Sequence, residues 1–309
     1  MIGPGAPRER YVDPATRPDG SVGRMTSPSV PVSGSASARM IEDLAAMKPS
    51  AVQATSRGAP ASTPTSPTKV PSVAPGTTTT ARSGPTSLPG WKLIFREDFA
   101  ANAASGRFLS SYPDFGAYPW GWLDSSRRGH YDPNILTVSG GMLNIHLFTS
   151  SDGIHHVAAP YPKPPGARDQ LYGRYSVRFR ADPVDGYKTA WLLWPQSGVW
   201  SDGEIDFPEG DLTGTFSAFM HYVGAPAEQD YFGTGTGYAA WHVATTEWSP
   251  NRVAFYLDGK LIGASTRHVP ATPMHFVLQT ETELGSAPIP SAAAGNVQVD
   301  WVSVWCYRP

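Results

Sequence analysis

From Trp91 onward, apolar and polar positions alternate in short runs that Gly, Pro, Asn or Asp interrupt. In "YGRYSVRFRA" (172–181), Tyr175, Val177 and Phe179 fall on one face and Ser176, Arg178 and Arg180 on the other. That two-residue period is the mark of a half-buried strand. "ILTVSGGMLNIHLF" (135–148) reads as two strands around a Gly-Gly turn. "VAFYLDGKLIGAS" (253–265) reads as a hairpin, because Asp258-Gly259 suits the left-handed φ angles of a type I′ turn. "NVQVDWVSVWCY" (296–307) is apolar on both faces and predicts a strand covered on each side. No long amphipathic helix pattern separates these runs. The order predicts an all-β fold, an antiparallel sandwich or jelly roll.

The first 89 residues break the pattern. They are dominated by Pro, Ser, Thr, Ala and Gly, and Tyr11 is their one aromatic residue. Such a segment lacks the apolar surface to offset its ordering entropy, so 1–89 is expected to be a disordered tail or linker. Within it, "ARMIEDLAAMKP" (38–49) could close a few helical turns but is too short to hold them alone. Residues 90–309 are expected to form one domain.

The tail carries nine Lys/Arg against five Asp/Glu, and the domain 15 against 21. An acidic domain is a poor match for nucleic acid, which calls for a basic footprint. Cys306 is the sole cysteine, so no disulfide framework exists, and it reads as a buried, inert thiol. No run of 18 apolar residues predicts a membrane span. The opening "MIGPGAPRERYVDPATRPDG" shows no secretory-signal pattern.

One stretch departs from this sparing use of charge. "WSDGEIDFPEGDL" (200–212) carries Asp202, Glu204, Asp206, Glu209 and Asp211 among apolar neighbours. On a strand, Glu204 and Asp206 share a face, and strict alternation would next present Pro208. Proline cannot donate a ladder hydrogen bond and belongs at a bulge or an edge. A bulge adding one residue at Phe207-Pro208 would return Glu209 to the face of Glu204 and Asp206. Two carboxyl groups brought close on one face are what a retaining glycosidase needs, one as nucleophile and one as acid then base. Crowding also raises the pKa of at least one of them. The alternative is the polar face of an exposed strand.

"GEIDFPEGD" resembles the E-x-D-x-x-E signature of glycoside hydrolase family 16, the laminarinase, lichenase and agarase group, in its bulged form. "GWKLIFREDF" resembles that family's opening strand and "YGRYSVRFRA" the strand before the site. "WSPNRVAFYLDGKLIG" is similar to the late hairpin, and "VQVDWVSVW" to the closing strand. The resemblance covers about residues 90–309. It implies a concanavalin-like β-jelly roll with an open cleft on its concave face. It further implies Glu204 as nucleophile, Glu209 as acid/base and Asp206 as the assisting residue. Pro208 departs from the Met or other apolar residue common in that branch. "FVLQTETELG" (276–285) departs from an Asn and Gly-rich stretch, and both departures bear on which sugar is bound.

Around the acids, Trp200 is expected in the cleft, where the family stacks an indole on a sugar; core packing is the competing account. Trp194 divides evenly between core and cleft. Trp120 and Trp122, in "YPWGW", read as a sugar platform on a loop or as a hydrophobic plug. His221 is expected to donate a hydrogen bond near the cut, against the reading of a satisfied core histidine. Gln279 and Glu281 are weaker candidates of the same kind. His155-His156 reads as a solvated loop, since no further ligand falls at metal spacing. No cofactor is expected, a structural calcium near Asp98 and Asp300 aside. The expected activity is a retaining endo-glycosidase on a β-linked polysaccharide, first a β-1,3-glucan. Transglycosylation at the same site and a non-catalytic sugar-binding jelly roll are the alternatives. A monomer acting outside the cell is expected.

Overall fold

The computed structural model describes residues 88–309. The expected tail and its candidate helix at 38–49 lie outside the described residues. The domain is built almost wholly from strands. The first are β1 (Trp91–Glu97), β2 (Phe115–Ala117), β3 (Gly129–Tyr131), β4 (Leu136–Ser139), β5 (Met142–Thr149) and β6 (His155–Val157). There follow β7 (Pro160–Pro162), β8 (Gly173–Ala181), β9 (Tyr187–Pro195), β10 (Glu204–Asp211), β11 (Thr215–Tyr222) and β12 (Ala225–Gly237). The last are β13 (His242–Ser249), β14 (Arg252–Leu257), β15 (Lys260–Ser265), β16 (Met274–Val277), β17 (Thr280–Thr282) and β18 (Ala294–Tyr307).

They form two main sheets. The larger runs β15-β14-β13-β8-β18-β5-β6-β3, with β1 also on β18 and β4 on β5. The smaller runs β12-β11-β10-β9-β16, with β17 also on β9, and β2 and β7 make a separate ribbon. The opening and closing strands are neighbours: Trp91 lies opposite Tyr307, ring centroids 5.4 Å apart.

The core fills the space between the sheets. Phe179 of β8 meets Trp191 of β9 at 5.0 Å, and Phe207 of β10 meets Phe255 of β14 at 5.8 Å. Burying each such ring contributes about 1.5–3 kcal/mol, which fixes register, because a one-residue slip would turn these rings outward. The predicted hairpin is present, with φ of 51° at Asp258 and 80° at Gly259. So is the Gly140-Gly141 turn between β4 and β5, both glycines at positive φ.

Three expectations need correction. The outer face of β8 is less solvated than alternation suggests: Ser176 is buried, its hydroxyl 2.7 Å from that of Thr245. His155 and His156 belong to β6 rather than a loop, and His156 Nδ1 lies 3.0 Å from Asp132 Oδ2. Cys306 is half-buried, because β18 is buried on both faces only from Trp301 to Trp305.

Candidate active site

The acids occupy β10, which lies between β9 and β11. Ile205 and Phe207 join the inter-sheet core, so Glu204 and Asp206 face away from it, on the outer side of the smaller sheet. Asp206 pairs with Leu192 on β9 and Phe219 on β11; Glu209 pairs with Ala190 and Ser217. The register thus advances three residues on β10 against two on each neighbour. The extra residue lies at Phe207-Pro208, as the proline predicts, and it returns Glu209 to the side of Glu204 and Asp206.

The acids differ in depth. The side chains of Glu204 and Asp206 are 3% and 2% exposed, while that of Glu209 is 21% exposed and opens the group to solvent. Burial raises Glu204 well above the usual carboxylate range, and the charge of Asp206 adds to the effect. Asp206 is pushed up to about 6, by burial first and by Glu209 among its neighbours. Two features favour the ionised forms. Trp200 Nε1 donates to Glu204 Oε2 at 2.8 Å. His221 Nε2 lies 3.3 Å from Asp206 Oδ2 and 4.0 Å from Glu204 Oε2, while its Nδ1 donates to the Pro226 carbonyl at 2.7 Å. Burial works against a charge on His221. The polar contact with Asp206 and the charges of Glu204 and Asp206 overcome it and lift the ring to about 10. His221 thus stands as a cation held by one hydrogen bond, from Nδ1 to Pro226, and by an ion pair through Nε2 to Asp206.

Glu204, Asp206 and His221 are also the described residues whose ligand atoms cluster within 4.8 Å of one another. His221 already spends Nδ1 on the Pro226 carbonyl and faces Asp206 through Nε2, so the three residues stand here as an ion-paired group. Calcium fits poorly at Asp98 and Asp300. Arg96 holds both oxygens of Asp98, at 3.0 and 3.1 Å, and Arg178 donates to Asp300. A calcium site needs six to eight free oxygens, and these carboxylates are tied to guanidinium groups.

Trp200, on a 3₁₀ turn (Trp200–Asp202), touches Glu204 and lies 5.8 Å from the His221 ring. Trp194 is on the acid-facing side of β9, two residues from Leu192, yet only 1% exposed. Gln279 is buried beside the same strand, its carbonyl accepting from Ala190 N at 2.9 Å. Trp120 and Trp122 are exposed at 53% and 37%. Trp120 stacks on His156 at 5.6 Å, at the edge of the larger sheet, and Trp122 lies 6.0 Å from Tyr118.

Sequence reasoning missed four residues here. Phe219 pairs with Asp206, and Tyr231 pairs with Phe219 while 61% exposed, so an aromatic pair flanks the acids. The alternation Ser217, Phe219, His221 was the available signal. Lys188 Nζ bonds Glu209 Oε1 at 2.6 Å from within a strand buried along its whole length. Tyr118 is half-buried near Glu281 and Glu204; desolvation first, and those charges after it, raise its phenol far above the ordinary range.

Comparison with known proteins agrees with this geometry. Residues 165–303 match the family described as glycosyl hydrolases family 16. Glucan endo-1,3-beta-glucosidase A1 of Niallia circulans is 26% identical over 266 residues, covering 71% of this chain and 38% of that protein. A beta-glucanase of Acetivibrio thermocellus is 23% identical over 205 residues, covering 60% and 57%. The chain thus spans well under two thirds of the length of either relative. Among solved structures, the laminarinase from Rhodothermus marinus superposes with a TM-score of 0.58 at 20% identity, covering 71% of this chain and 98% of that one. The catalytic domain of a Thermotoga petrophila laminarinase gives 0.57 at 17% identity, covering 71% and 99%. These likenesses show a shared fold. The stretch that matches glycosyl hydrolases family 16 takes in β10 with Glu204, Asp206 and Glu209.

Proposed function

We propose that the domain is a retaining endo-β-glucan hydrolase acting on internal bonds of a β-1,3-glucan. The bulge that brings Glu209 to the side of Glu204 and Asp206 carries this reading. Glu204 attacks the anomeric carbon, and the bond from that carbon to the leaving oxygen breaks. Glu209 gives its proton to that oxygen. In the second half, Glu209 takes a proton from water, whose oxygen displaces Glu204 and restores both groups. Burial and crowding raise the affinity of the Glu204/Asp206 pair for protons as a unit, so the two share a proton, and attack occurs when Glu204 is the anion. Trp200 N–H and the His221 imidazolium stabilise that anion.

The intact trio argues against a purely sugar-binding jelly roll. The two relatives whose names state β-glucan cleavage support the substrate class. β-Glucans are polymers met outside cells, so we place the reaction there, by a single subunit. The test is proton NMR of the first product released from laminarin. A β-configured reducing end is expected, and an α-configured one excludes retention.

A further inference from the structure

Lys188 is buried at 5% exposure and bonded to Glu209. An ammonium favours the ionised form of its partner, yet Glu209 must carry a proton to act on the leaving oxygen. A second buried acid lies at hand. Glu281 of β17 is the direct cross-strand neighbour of Lys188 on β9 and shares its face. Its Oε1 accepts from Ser125 N at 3.1 Å, from Ser125 Oγ and from Tyr131 OH at 3.0 Å. Its Oε2 is buried with no hydrogen-bond partner among the described residues. A fully buried carboxylate oxygen left unpaired is costly, and Lys188 is the neighbouring cation.

We propose that Glu281 is a positioning residue, the alternative counter-ion of Lys188, to which the ammonium crosses from Glu209 when Glu209 takes up a proton. Glu209 and Glu281 then share one proton and one cation, and the charge of the group stays constant through the reaction. Burial and Asp124 push Glu281 up to about 7 against the pull of Lys188 and Ser125, so it is poised to lose its proton near neutrality. The charged and titratable groups facing Glu281 are Lys188, Asp124, Tyr118 and Tyr131. Those facing Glu209 are Lys188, Glu204, Asp206, Asp211 and Tyr238. Lys188 is the cation common to both.

This rests on the hydrolase reading only for its purpose, and its test does not require turnover. The carboxyl carbon of Glu209 is followed by NMR through a pH titration in ¹³C-Glu-labelled full-length protein, the resonance assigned by its loss in Glu209→Gln. In Glu281→Gln, Lys188 has one acidic partner left, and Glu209 should titrate lower by about one pH unit. In Lys188→Met it should titrate higher. Adding Glu281→Gln to Lys188→Met should move it much less than the single change does, because the coupling runs through the ammonium. A Glu281→Gln protein with Glu209 unmoved overturns the proposal, as does an undiminished shift in the double variant. Should Glu281→Gln not fold, Lys188→Met alone decides: an unmoved Glu209 overturns it. The alkaline limb of kcat/KM on laminarin should follow the same shifts. Loss of glucan cleavage in the unmodified protein would sink the hydrolase reading and leave the titration result standing.

Discussion

The indole of Trp200 donates its hydrogen to Glu204 Oε2 at 2.8 Å, the one side-chain hydrogen bond described for that buried acid. A donor aimed at a carboxylate favours its charged form. Trp200→Phe keeps the ring and removes the donor, so Glu204 should hold its proton to higher pH. The nucleophile works ionised, and the acidic limb of the kcat/KM profile is therefore expected to move upward. At the optimum the rate should fall about tenfold or more. An unmoved acidic limb would mean that the hydrogen bond plays no part in ionising Glu204.

The two glutamates have different assigned roles, and azide separates them. In Glu204→Ala, azide can take the place of the missing nucleophile at the anomeric carbon and should release an α-glycosyl azide. In Glu209→Ala, an activated aryl β-glucoside still forms the Glu204 adduct, and azide should release the β-glycosyl azide. Both variants should lose at least about a thousandfold in laminarin cleavage. The same anomer from both variants would reject the assignment.

His221 predicts how stability depends on pH. Its folded-state pKa is about 10, raised above the 6.5 of a free imidazole. A raised histidine stabilises the fold fully below about 6.5, and that contribution is lost as pH rises through about 10. The melting temperature should decline across this window, as calorimetry can follow. His221→Asn should flatten the decline. A parallel decline in the variant would place its cause elsewhere.

Gly210, next to Glu209, packs against the following strand. A Cβ there would lie 2.6 Å from the Thr215 carbonyl oxygen and 2.9 Å from Phe216 Cα, both main-chain atoms with no room to move. Gly210→Ala should cost about 1–3 kcal/mol in denaturant unfolding. It should also displace Glu209 and lower kcat. Stability equal to the parent would show that β10 and β11 can part at this point.

Much of this was legible from local patterns. Asp258-Gly259 and Gly140-Gly141 specify their turns through backbone geometry alone, and Pro208 announced the bulge because proline has no hydrogen to give a ladder. The partners of the acids were less legible. Lys188 and Glu281 lie far apart along the chain, and only the pairing of β9 with β17 joins them. The depth of Trp194 depends on what covers the acid-bearing sheet, which no strand pattern encodes. Trp120 was expected as a sugar platform or a hydrophobic plug, and the structure adds that its ring stacks on His156 while 53% exposed.

The seam between β1 and β18 brings Trp91 against Tyr307 within the larger sheet. Both ends of the described domain thus leave from the larger sheet, whereas the acids lie on the smaller one. Such an arrangement keeps the two ends of the domain side by side. It also makes the domain a natural cassette for circular permutation, its old ends joined by a short loop and new ones cut at the Asp258-Gly259 turn.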